Sequence, residues 1–82
     1  MNLRFSKHAK ERMIQRNITE EEVVSIINNP DRIIEEDEYL IYQRLSNSND
    51  KPSHLFRVFI NTKKDPSTVI TVYKTSKIEK YL

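Results

Sequence analysis

The apolar positions of this chain change period once, near residue 30. Phe5, Ala9 and Met13 recur four apart, and polar residues fill the gaps between them. That spacing predicts an amphipathic helix over 7–16, with Ser6 as its N-cap. Asn17 follows as a residue able to take the left-handed position that ends a helix. A second helix is predicted to start at Thr19. Glu22, three residues on, completes a capping box, and Ile18 and Val23 have the spacing of a hydrophobic staple. Val23, Val24, Ile26 and Ile27 give this helix a broad apolar face, and Pro30 forbids its continuation.

Beyond Pro30 the pattern becomes that of strands. Arg32 to Glu36 and Glu38 to Leu45 form two β-prone runs with Asp37 at the turn between them. The segment Asn47-Ser48-Asn49-Asp50-Lys51-Pro52 predicts a polar loop. Leu55 to Asn61 alternates, with Phe56, Val58 and Ile60 on one face and Leu55, Arg57 and Phe59 on the other. A turn over 62–67 leads to Thr68 to Lys74, the most β-prone stretch. Ser76 and Glu79 suit the start of a short final helix, or else a loose tail. The expected fold is a single α+β domain over residues 1–82. Two N-terminal helices pack on one face of a four-stranded antiparallel sheet, whose other face is left to solvent or a ligand.

Composition narrows the chemistry. The 82 residues include no glycine and no cysteine. Glycine-rich phosphate loops, thiolate nucleophiles and cysteine zinc sites are therefore excluded, and phosphate binding would have to rest on side chains or a helix end. No secretory signal and no apolar run long enough for a membrane span stand out, so a cytoplasmic location is expected. The net charge of +2 conceals a segregation. Residues 1–18 carry +4, residues 19–38 carry −7 and residues 39–82 carry +5. That layout suits a polyanion-facing surface beside an acidic segment, and equally a set of solvated faces.

Three groups of residues are candidates for chemistry. His8 is one of two histidines and is spaced with Arg12 and Arg16 along one side of the first helix. A neutral imidazole there suits proton transfer, or a structural hydrogen bond at the helix–sheet seam. Arg12 and Arg16 suit a phosphate clamp, or ion pairs with Glu35, Glu36, Asp37 and Glu38. Arg57, Thr71 and Tyr73 would form one polar patch if the last two strands pair with matching faces. Tyrosine there can stack on a base or give up a proton. His8 and His54 lack the spacing of metal ligands, so no metal and no cofactor are expected. The second helix is acidic at its start, which argues against a DNA-reading helix-turn-helix.

The run Phe5-Ser6-Lys7-His8-Ala9, with Arg12-Met13 and Arg16-Asn17-Ile18-Thr19, resembles the opening motif of the domain-of-unknown-function family 4258. Val69-Ile70-Thr71-Val72-Tyr73 resembles its closing strand, and Leu55-Phe56-Arg57-Val58 lies at the place of its penultimate strand. Asn17 stands where glycine is usual. The resemblance implies kinship with the barnase–EndoU–colicin–RelE superfold of ribonucleases and toxins, and hence an RNA-facing surface. The expected function is a toxin-like, metal-independent endoribonuclease with His8, Arg12 and Tyr73 as catalytic residues. Arg16, Arg57 and Thr71 would bind the substrate, and a protein antitoxin would cover the same surface. The alternatives are a non-catalytic RNA- or protein-binding module, and a structural protein whose arginines pair internally.

Overall fold

The computed structural model describes residues 3–48 and 51–81, with backbone alone at 47, 48, 51 and 52. The chain runs β1 (Leu3–Phe5), α1 (Lys7–Gln15), α2 (Glu20–Asn28), β2 (Arg32–Glu36), β3 (Tyr39–Ser48), β4 (Lys51–Asn61) and β5 (Ser67–Thr75). A single 3-10 turn follows at Ile78–Tyr81. The sheet has five strands in the order β1-β5-β4-β3-β2. It is mixed, because β1 pairs in parallel with β5 while the other pairings are antiparallel. This corrects the expected four-stranded antiparallel sheet. The missed strand is three residues long and finds its partner more than sixty residues away, so neither its length nor its neighbours announce it. Phe5 belongs to that strand, although its spacing from Ala9 and Met13 reads as part of a helical stripe.

Both helices form where the capping residues stand. The Ser6 side chain accepts from the Ala9 backbone amide at 3.0 Å. Thr19 and Glu22 make both reciprocal bonds of a capping box. At the end of α1, Asn17 adopts φ 56°. The Ile18 amide then donates to the Met13 carbonyl at 2.8 Å, and the Asn17 amide to the Ile14 carbonyl at 3.2 Å. These are the two bonds of a Schellman motif, and Ile18 and Met13 are buried together beside it. Asparagine thus does the work of the absent glycine, since its short polar side chain tolerates the left-handed region. Asp37, also at positive φ (55°), makes the turn from β2 to β3 in the same way.

The core lies between the helices and one sheet face. Ala9, Met13, Ile18, Val23, Ile26 and Ile27 pack on Tyr42, Val58, Ile60, Val69 and Val72, with Phe56 and Leu40 at the margin. Strict alternation would place Val69 on the face of Thr71 and Tyr73. A register shift between Phe59 and Ile60 resolves this, because Ile60 pairs with Val69 but Phe59 pairs with Thr71. The extra residue, Ile70, lets Val69 and Val72 both enter the core. The β3–β4 hairpin is longer than the polar segment suggested. Its ladder continues to Ser48 and Lys51, with an irregularity at Ser46/Asn47 next to Pro52. A proline is tolerated in a strand where the ladder is already broken. The tip at 49–50 lies outside the described residues.

Candidate functional site

The face of the sheet turned away from the helices is not uniformly polar. Ile41 and Leu55 are each 1% exposed there, and Gln43 is 2% exposed. Across its centre runs a row set by strand register: Gln43 on β3 lies opposite Arg57 on β4, which lies opposite Tyr73 on β5. Arg57 is buried, and its Nε donates to Gln43 Oε1 at 2.7 Å. Its Nη1 donates to the Tyr73 hydroxyl. Both partners are neutral. The guanidinium also faces three rings, with its carbon 5.2 Å from the centroid of Phe59, 5.7 Å from Tyr73 and 4.3 Å from Tyr81. Phe59 stacks on Tyr73 at 5.9 Å, and Tyr81 meets Tyr73 nearly edge-on at 6.2 Å. Thr71 is half-buried on the same face, opposite Phe59.

A buried guanidinium is costly unless it is hydrogen-bonded and balanced by negative charge. Here two neutral acceptors and the negative faces of aromatic rings supply the balance. This leaves a positive charge held rigidly in place, which is what an anion site requires. The phenols around it respond in opposite directions. Burial pushes the Tyr73 pKa up, aided by its hydrogen bond with Tyr81 and opposed by Arg57. That same hydrogen bond pulls the Tyr81 pKa down. Tyr73 therefore keeps its proton across the neutral range.

Arg16 reaches this group from the other side of the sheet edge. Because β1 pairs only with residues 67–69 of β5, the edge of β5 beyond Val69 has no strand beside it. The N-cap and the C-cap of α1 fill that gap. The Ser6 amide donates to the Val69 carbonyl at 3.0 Å. The Ser6 hydroxyl donates to the Ile70 carbonyl at 3.1 Å. Arg16 Nη1 donates to the Val72 carbonyl at 2.8 Å. The Arg16 guanidinium carbon then sits 5.9 Å from the Tyr73 ring centroid.

His8 and Arg12 form a separate group. Arg12 Nε donates to His8 Nε2 at 3.5 Å, and Arg12 Nη1 donates to Gln15 Oε1 at 3.0 Å. His8 is exposed on α1. A ring nitrogen that accepts a hydrogen bond uses its lone pair to do so. The structure thus brings Arg57, Tyr73, Thr71 and Arg16 to one place, and puts His8 and Arg12 further back along α1. The hydrogen bonds of Arg12 and Arg16 go to Gln15, His8 and a carbonyl, not to the acidic segment. That segment lies in and after β2, at the far edge of the sheet, three strands from β5.

Two residues of the site were not expected. Gln43 is an uncharged polar residue within a β-prone run, and Tyr81 lies in the stretch that reads as a short final helix or a loose tail. Counting outward from the centre of the polar segment 47–52 places Gln43 opposite Phe56, and only the irregularity at Ser46/Asn47 moves it opposite Arg57. Nothing local announces Tyr81. Among the described residues, no three His, Asp or Glu side chains gather into a metal-holding group. Nor is any helix long and apolar enough to cross a membrane.

Comparison with known proteins adds a family. The model of a domain of unknown function, DUF4258, matches residues 5–74, and the chain belongs to that family. The match spans both helices, the strands β2 to β4 and nearly all of β5. No curated protein matches the chain, and no solved structure does.

Proposed function

We propose that this member of the DUF4258 family binds single-stranded RNA where Arg57, Tyr73 and Arg16 meet, and cleaves it there without a metal. The observation that carries the reading is the buried Arg57, fixed by Gln43 and Tyr73 with no carboxylate in either hydrogen bond. A phosphodiester supplies a full negative charge where the chain offers only neutral acceptors and ring faces, and the aromatic rings offer faces for unstacked bases. In the reaction, the 2′-oxygen attacks the adjacent phosphorus and the bond to the 5′-oxygen breaks. The products are a 2′,3′-cyclic phosphate and a free 5′-hydroxyl.

Three tasks follow, and the chain has a residue for each. Arg57 and Arg16 stabilise the charge that builds on the phosphorane oxygens. Tyr73, which retains its proton, protonates the leaving 5′-oxygen. His8, exposed on α1, takes the proton of the 2′-hydroxyl on Nε2 once the long 3.5 Å hydrogen bond from Arg12 to that nitrogen is released. Thr71 positions the phosphate from the neighbouring pair of β5. The kinship with the barnase–EndoU–colicin–RelE superfold and a toxin-like role belong to this proposal. So does a protein antitoxin that covers the basic surface.

The test is incubation of the protein with end-labelled oligonucleotides and analysis for 2′,3′-cyclic ends. Arg57→Gln is expected to lower the cleavage rate about a hundredfold. Tyr73→Phe keeps the ring and loses the proton, so it is expected to retain binding and lose turnover. A second reading, binding without cleavage, is favoured by one observation. The described hydrogen bonds of His8 and Arg12 stay within α1 and do not reach the Arg57–Tyr73 group. Salt-sensitive binding with no cyclic product would select it. Absence of both binding and product would end both readings.

A further inference from the structure

Arg57 poses a question of access. It lies on the face that the helices leave open, yet only 9% of it is exposed. Of the three rings around it, the nearest is Tyr81, which belongs to the 3-10 turn that follows β5. Phe59 and Tyr73 are neighbours within the sheet and flank the guanidinium from its own layer. Tyr81 alone comes from outside the sheet. A ligand approaching Arg57 from the open face must pass this ring.

The turn that carries Tyr81 is lightly held. It is one turn long, with a Lys80 amide to Lys77 carbonyl bond of 3.3 Å inside it. A Lys77 amide to Thr75 hydroxyl bond of 3.0 Å joins it to the end of β5. Its apolar residue, Ile78, is only half-buried. Short 3-10 pieces with few buried contacts open at low free energy. What holds the ring down is mostly the site itself: the Arg57 cation and the Tyr73 ring.

We propose that the 3-10 turn is a strap over the anion site, with the Tyr81 ring standing in for the ligand on Arg57 until a phosphodiester displaces it. The ring face is the chain's own weak substitute for an anion. A phosphate competes for the same cation with full charge and direct hydrogen bonds, so binding and strap release are one exchange. The identity of the ligand rests on the reading of Arg57 as a phosphate contact, whereas the covering of Arg57 does not.

The two are separated by one experiment on the full chain with two readouts. The first is the rate at which phenylglyoxal modifies Arg57, measured by mass spectrometry against the exposed Arg32 as internal reference. The second is the affinity for a short oligouridylate. Tyr81→Ala is expected to speed modification of Arg57 relative to Arg32, and to tighten oligonucleotide binding about two- to fivefold. Tyr81→Phe keeps the ring and is expected to stay close to the parent in both. An unchanged Arg57 rate in Tyr81→Ala overturns the strap. Faster modification with weaker binding also overturns it, because Tyr81 is then part of the ligand surface. Faster modification with no oligonucleotide binding by either protein leaves the strap standing and removes the RNA reading.

Discussion

The two faces of this sheet are built from alternate residues of the same strands, yet they are sealed by different means. On one face, Val58, Ile60, Val69 and Val72 meet two helices whose buried residues are all apolar. On the other, Ile41 and Leu55 are as deeply buried without a helix, beside Gln43 and Arg57. The first face needs only shape and apolar area. The second is closed by side chains that lean on one another, and its central member carries a charge. The first arrangement stores stability. The second holds a cation in a fixed position between neutral partners.

Substitutions on the two faces should therefore differ in kind. Ile60 is fully buried under the helices, and Ile60→Ala is expected to cost about 3 kcal/mol in urea unfolding. Its site readouts should change only as far as the protein unfolds. Arg57→Met removes a buried charge but leaves Gln43 and the Tyr73 hydroxyl short of a partner. The gain from not burying a cation offsets most of that loss, so the expected cost is about 1 kcal/mol. A loss as large as that of Ile60→Ala would erase the distinction between the faces.

The smallest effect is the ionisation of the phenols, read by ultraviolet absorbance between neutral and strongly alkaline pH. The hydrogen bond from Tyr73 should let Tyr81 ionise below the ordinary value of 10.0, and burial should hold Tyr73 above it. The lowered Tyr81 value favours the fold above the unfolded pKa, and this contribution is lost as pH falls through the folded one. The raised Tyr73 value acts the other way. Its contribution is present below the unfolded pKa and is lost as pH rises through the folded one. Tyr81→Phe is expected to remove the early step. Ionisation of all tyrosines together would show that the aromatic group does not form in solution.

Much of the first face is legible in the sequence. Ser6, Thr19 with Glu22, and Asn17 mark the helix ends by their own side-chain chemistry, and the alternation of Phe56, Val58 and Ile60 marks the core side of β4. The shared face of Arg57, Thr71 and Tyr73 is legible too, because it depends only on pairing of successive strands. The rest depends on distant contacts. β1 exists because β5 offers it an edge. The shift at Ile70 exists because two valines three apart both fit under the helices. Gln43 and Tyr81 matter only once Arg57 has been placed between them. None of these has a local signature, since each residue gains its role from a neighbour supplied by the fold.

Arg16 gives the site an unusual dependence. It is the C-cap of α1, the donor that covers the Val72 carbonyl on the open stretch of β5, and the second cation beside Tyr73. Helix ends are where a helix first frays. The site thus hangs from the least permanent part of α1, and the Asn17 turn that fastens this end is also a tuning peg for the distance between two positive charges. A change at Asn17, which lies outside the aromatic group, would be felt as a shift of the Arg16 guanidinium against the Tyr73 ring.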